Sequence, residues 1–309
     1  MEGVMGRILK FRSFIGLIVL CLILSFITPR FLTVSNLLNV LTQISVNAVI
    51  AIGMTFVILT GGIDLSVGSI LAFSGAITAY LVKSSGNVFL AIVVGLIIGG
   101  FIGLFNGFII SKEKVQPFIA TLVTMTIFRG VTYVFTNGIP ISGLNLNFTF
   151  IGNERILGMP IPVIITLVIF IIAWYLVNET RFGRYVYAIG GNEDTVKLSG
   201  INTDRVKTIV YMISGITASI SGVIVTSRIG SASPNAGMGY ELDAIAAVVL
   251  GGTSLSGGEG TVVGTLIGSM IIGVISNGLN LLNVSPFYQS IVKGIIILLA
   301  VLIDKRSNK

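Results

Sequence analysis

The chain has no histidine and a single cysteine, Cys21. Without histidine there is no imidazole ligand for a zinc centre and no base for a Ser–His or Cys–His pair. No catalytic residue, metal site or bound cofactor is therefore expected. One cysteine cannot close a disulfide within the chain, and Cys21 reads as a small membrane-facing or packing residue in an apolar run. Charge is scarce as well: 10% of residues are Asp, Glu, Lys or Arg, against about 25% in soluble domains. That is too little polar material to coat a soluble globule of 309 residues, so lipid must solvate most of the surface. The net charge of +7 does not point to nucleic acid, because the basic residues stand at the ends of apolar runs and not in a patch with aromatics.

What is present is a series of apolar runs, at about 13–28, 37–59, 66–82, 88–110, 117–136, 161–178, 207–228, 242–251, 261–281 and 287–303. A full span needs about 20 residues, so the shorter and glycine-cut runs read as broken or tilted helices. The expectation is one all-α polytopic membrane domain over residues 1–309 with about ten transmembrane helices. The first run follows Arg7, Lys10 and Arg12 and has no small-residue cleavage site behind it, so it reads as a retained signal anchor. Placing the N-terminus in the cytoplasm puts thirteen of the nineteen Lys and Arg inside and four outside, with Arg129 and Lys293 in the membrane. Basic residues concentrate on the cytoplasmic side. Both termini and the stretch 179–205 are thus expected in the cytoplasm, and the loop 137–160 outside.

Glycine is abundant, at 38 residues, and recurs inside the apolar runs. Gly95, Gly99, Gly103 and Gly107 share one helical face, where small residues let backbones approach closely in lipid. That face is either packing within the chain or a contact between two copies. The sequence GGxxLSxG occurs at Gly61–Gly68 and again at Gly251–Gly258. Paired helix breaks in two halves of a chain point to a transport path, although a chance echo gives the same letters. Asp64, Arg129 and Lys293 lie at or within apolar runs. An ion at the bilayer centre costs at least about 2.5–3.5 kcal/mol, so each must face protein or water. Either Asp64 pairs with Arg129 or Lys293 and pins helices, or these groups line a hydrophilic path. Asn106 divides in the same way, between the path and a hydrogen bond between helices. Glu241 and Asp243 read as acidic residues at the positive, external end of the eighth run.

The longest polar island is Glu179–Arg205, with eight of the thirty-one charged residues. Within it Gly190-Gly191 makes a turn and Asn192 suits an N-cap. Glu193 and Asp194 favour the start of a short helix, and Gly200 suits a left-handed end. Such a short helix persists only when packed, and its acidic start with Val196 and Leu198 suits insertion in a partner's groove.

The stretch TRFGRYVYAIGGNEDTVKLSGI, with GMTFVILTGGIDLSVGSILA, QPFIATLVTMTIFRGVTYVFTNG and GYELDAIAAVVLGGTSLSGGEGTVVGTLIG, resembles the permease subunits of bacterial monosaccharide (ribose-type) ABC importers. The resemblance runs from about Asn36 to the C-terminus. It implies a multi-pass protein of the bacterial cytoplasmic membrane, with a fold like that of the ten-helix vitamin-B12-type importers. It also implies four partners: a second copy of the chain, a cytoplasmic ABC ATPase, an extracytoplasmic sugar-binding protein and a monosaccharide. The ATPase-coupling element would be Gly190–Gly200, through Gly190, Gly191, Asn192, Glu193, Asp194, Lys197 and Gly200. Asp64, Asn106, Arg129 and Lys293 would belong to the translocation pathway. Leu255–Glu259 looks like the ATPase signature LSGGQ, but no GxxxxGK[ST] phosphate loop exists, so ATP hydrolysis falls to a separate subunit. The competing reading is an ion-coupled secondary sugar carrier.

Overall fold

A computed structural model describes residues 12–307, so Arg7, Lys10 and Lys309 lie outside the described residues. In chain order the elements are α1 (Arg12–Ile27), α2 (Val34–Leu59), α3 (Val67–Ser85), α4 (Val88–Lys112), α5 (Pro117–Thr136), β1 (Ile141–Ser142), α6 (Leu146–Asn153), β2 (Arg155–Ile156) and β3 (Met159–Pro160). After them come α7 (Ile161–Glu179), α8 (Arg181–Leu198), α9 (Thr203–Ile229), β4 (Ser231–Ala232), α10 (Tyr240–Leu250), α11 (Val262–Leu281) and α12 (Pro286–Ser307). Seven of these helices, α2, α3, α4, α5, α7, α9 and α11, are long and apolar enough to cross a membrane. The chain is therefore an all-helical polytopic membrane protein. The helices α1, of 16 residues, and α10, of 11, are shorter.

Local chemistry marks the ends. Thr33, Asn87, Thr180, Asn202 and Thr261 each accept a backbone N–H of the helix they precede, supplying acceptors for donors that have no intrahelical partner. Pro117, Pro162 and Pro286 stand in first turns, where the missing N–H costs nothing.

The bundle is centred on α9, which packs against α4, α2 and α3. From Ala48 to Leu59 α2 is buried throughout. Lipid offers no hydrophobic drive between helices, so close packing and hydrogen bonds must hold them. Ser221 Oγ donates to the Val46 carbonyl (2.9 Å), Thr55 and Thr265 hydroxyls meet at 2.7 Å, and Asn36 and Asn277 exchange amide hydrogen bonds. The glycine face of α4 faces inward: Gly99, Gly103 and Gly107 lie on α9, and Gly95 lies on α3. Of the two readings of that face, packing within the chain is the one found.

One end of the bundle gathers the ends of α2 and α4, the starts of α5 and α9, and α8, through Gly258 N–H to the Leu59 carbonyl, Lys114 to Asp204 and Ser111 to Thr208. The opposite end carries β1 paired with β4, and α6, whose Phe148 carbonyl accepts Ser227 Oγ at 2.6 Å.

A side chain at Gly99 would collide with Ser219 Oγ and approach the Gly215 carbonyl oxygen to 2.6 Å. Gly99→Leu is expected to cost at least about 1–3 kcal/mol by overpacking, read as a lower thermal midpoint in detergent than for the exposed-face control Gly130→Leu.

Candidate functional site

The polar island folds as α8 and its exit. Thr180 Oγ1 accepts Gly183 N–H and starts the helix directly after α7. At Asn192 the backbone leaves helical geometry (φ −161°, ψ 99°) and a second, short helical stretch begins. The Asn192 side chain caps that stretch, accepting Thr195 N–H at 2.9 Å. Gly200 closes it at φ +81°, donating to the Lys197 carbonyl, while Ile201 N–H reaches back to the Val196 carbonyl.

The short stretch divides its residues by direction. Val196 is buried in the core, while Leu198, Asp194 and Lys197 are exposed. Glu193 turns inward: it pairs with Lys197 (2.8 Å) and Lys207 of α9 (3.0 Å), and accepts Thr203 Oγ1 at 3.3 Å. Partial burial pushes the Glu193 carboxyl up, but the two lysines outweigh it and hold the group down to about 2. Glu193 is thus an internal clamp to α9, and Asp194 is the acid left facing out.

Beneath the kink three backbone segments meet without side chains between them. A Cβ on Gly190 would overlap the Leu59 carbonyl oxygen and Gly258 N. Those two atoms are hydrogen-bonded to each other at 3.0 Å. A Cβ on Gly257 would come within 2.8 Å of Gly61 N and 3.0 Å of Gly190 Cα. Tyr187 OH adds a bond to the Gly260 carbonyl at 2.8 Å. The two GGxxLSxG stretches therefore touch each other and α8 at one point. Nothing in the echo itself tells that its two copies are neighbours.

The intramembrane charges do not pair as one of the sequence readings expected. Asp64 is fully buried and bonds neither Arg129 nor Lys293. Its partners are Ser66 N–H (3.0 Å), Ser66 Oγ (2.5 Å) and Ser214 Oγ (2.7 Å). Three donors already within reach meet the carboxylate's need, so a distant cation is not required. Asn106 joins the same network, donating to Ser66 Oγ at 2.9 Å and accepting Thr124 Oγ1 at 2.6 Å. Both of its sequence readings had Asn106 polar and internal; the observed geometry is a hydrogen bond between helices.

Arg129 and Lys293 lie elsewhere and flank one segment, Pro234–Asp243. Arg129 Nη1 donates to the Pro234 and Ala236 carbonyls at 2.7 and 2.8 Å. Lys293 pairs with Asp243 at 2.7 Å. Each lines a cleft: about 280 Å³ beside Arg129, Glu241, Met125 and Thr126, and about 200 Å³ beside Lys293, Asp243 and Ser290. Met238 and Gly239 are common to both. Glu241 and Asp243 open α10, as acids at a positive helix end should. Asp243 sits 3.5 Å from Asn47, the midpoint residue of α2. Two cations expected inside the membrane call for acids beside them, and Asp243 is the acid that Lys293 meets.

The chain matches, over residues 36–301, the family described as branched-chain amino acid transport system / permease component. It is 55% identical over 304 residues to the ribose import permease protein RbsC of Haemophilus influenzae, covering 97% of this chain and 94% of that one. It is 54% identical over 309 residues to RbsC of Bacillus subtilis, covering 99% and 95%. It is 41% identical over 302 residues to the D-allose transport system permease protein AlsC of Escherichia coli, covering 97% and 93%. No solved structure matches it.

Because its folded pKa is depressed, Glu193 contributes stability that is complete above the ordinary carboxyl range and lost as pH falls toward about 2. The thermal midpoints of wild type and Glu193→Gln are therefore expected to differ above about pH 5 and to converge below it.

Proposed function

The chain belongs to the family of branched-chain amino acid transport system permease components, and from that premise we propose that it is the permease of an ATP-driven ribose importer. It is not itself an enzyme: it carries the pathway, and a separate ATPase subunit hydrolyses ATP. The identity of more than half of all positions to ribose import permeases of two bacteria, across nearly the full chain, is the observation that carries the reading. An extracytoplasmic binding protein delivers the sugar and a cytoplasmic ABC ATPase supplies the force.

The finer assignments follow from the geometry. The stretch Gly190–Gly200 is proposed as the coupling element, with exposed Asp194, Lys197 and Leu198 toward the ATPase and Glu193 fastening it to α9. Gly190, Asn192 and Gly200 shape it. The excess of Lys and Arg at that end supports a cytoplasmic location for it and for both termini, with 137–160 outside. A vitamin-B12-type fold of ten spans is proposed with α1, α10 and α12 completing the seven long helices.

A second copy is proposed on the face formed by α5, α10 and α12. Arg129 and Glu241 are only half-buried there, at membrane depth, beside exposed Met238 and Leu242. Facing lipid, such charges cost at least about 2.5–3.5 kcal/mol each; between two copies they would line a watery pathway.

Reconstitution of the chain with the ATPase and binding protein in liposomes tests the reading. Ribose uptake is expected to require ATP and to survive collapse of the proton and sodium gradients. Uptake that ignores ATP and stops with a gradient would establish the secondary-carrier alternative. In the same vesicles Asp194→Lys should weaken assembly with the ATPase. Gly190→Val should leave assembly intact and lower sugar moved per ATP, because it wedges α8 off the Leu59–Gly258 junction.

A further inference from the structure

We propose that the cleft between Arg129 and Glu241 is a transit subsite in the permease that reads the hydroxyl groups of a monosaccharide. The proposal rests on the importer reading above and deepens it, because sugar selectivity would then not reside in the binding protein alone.

The first support is depth. α10 has eleven residues, about 16 Å of helix against a hydrocarbon core of about 30 Å. Its far end, Gly251–Gly258, leads to the junction with Leu59 and Gly190. Its start therefore lies near mid-membrane, as the approach of Asp243 to Asn47 also requires. The helix α3 begins at the same place: a Cβ on Gly237 would lie 2.7 Å from the Gly68 carbonyl oxygen. Two discontinuous helices thus start side by side at depth. Transport sites are built where half-helices begin near the midplane, since their free N–H groups and the freed backbone are tolerated only beside protein or a polar cargo.

The second support is the chemistry of the lining. Arg129 spends one nitrogen on the Pro234 and Ala236 carbonyls, which holds the guanidinium in place. Its other N–H groups take no partner among the described residues, so they remain for a ligand. Glu241 accepts Gly239 N–H at 3.2 Å, which orients its carboxylate. The two line one cleft without forming an ion pair with each other. A carboxylate accepts from a hydroxyl, and a planar guanidinium donates to two adjacent oxygens. A sugar carrying vicinal hydroxyls satisfies both at once, whereas a cation or an anion would satisfy one and repel the other. Met125 and Met238 supply the apolar wall, in the usual pattern of a small-molecule site with few polar groups. The volume of about 280 Å³ is just below the usual range for drug-sized ligands and suits a single small sugar. Lys293 and Asp243 neutralise each other in the adjoining cleft, which leaves the Arg129 side as the reading face.

The test compares uptake of ribose, of its epimer arabinose and of deoxyribose by the complete importer in proteoliposomes, with one binding protein throughout. Wild type, Glu241→Gln and Arg129→Lys are measured for KM and maximal rate. The subsite predicts that at least one variant changes the ratio of ribose to a competing sugar by about tenfold or more, the worth of one charge-assisted hydrogen bond. Thr126→Val, which alters the same cleft without touching charge, is read by the same ratio if the charge variants fail to assemble. Wild-type ratios in every assembled variant would overturn the subsite, whether or not overall uptake falls. A wild-type importer that shows no ATP-dependent uptake would overturn the importer reading and the subsite with it.

Discussion

In hydrocarbon an unpaired peptide group costs several kcal/mol, so every break in a membrane helix must be bonded by protein. Much of this structure follows from that constraint. The chain breaks its helices at Gly61–Ser66 and again between Ile229 and Tyr240. At the first break Asp64 accepts Ser66 N–H, and Ser214 and Asn106 close the network from α9 and α4. At the second, Arg129 donates to the Pro234 and Ala236 carbonyls. Polar residues at membrane depth here are first of all the substitutes for missing helical bonds. Only where they have donors or acceptors left over, as Arg129 has, do they offer anything to a ligand.

The same breaks join the two ends of the proposed machinery. The stretch Gly61–Gly68 runs from contact with Gly257 to contact with Gly237. The helix α10 runs from Glu241 in the cleft to Gly251, just before the loop that touches Gly190. Two short rigid connections therefore lie between α8 and the Arg129–Glu241 cleft. Backbone-to-backbone contact at Gly190 makes that end of the linkage stiff, since no side chain stands there to change rotamer and absorb a displacement.

Glu193 illustrates how a residue's type can be legible while its role is not. Acidic residues after Asn192 read correctly as the start of a helix, and nothing local separates Glu193 from Asp194. Their directions differ because α9 passes on one side, bringing Lys207 and Thr203 to Glu193. Asp64 failed in the complementary way. The count of charges in the membrane favoured a cation as its partner, but serine hydroxyls at sequence distances of 2 and 150 were nearer. Hydroxyl donors are common in such helices and leave no compositional trace that says which of them is turned toward a carboxylate.

The sequence by itself determined the solvent, the helical class, the apolar runs, the cap at Asn192 and the glycine at Gly200. Each follows from composition or from interactions within a few residues. Its motifs also carried the family. Tertiary structure alone decided that the two glycine-rich stretches meet under α8, that the glycine face of α4 packs inside the chain on α9 and α3, and that Arg129 and Glu241 share a cleft. Those are contacts between segments tens to hundreds of residues apart. Their partners are chosen by backbone approach and hydrogen-bond geometry, which no periodicity along the chain encodes.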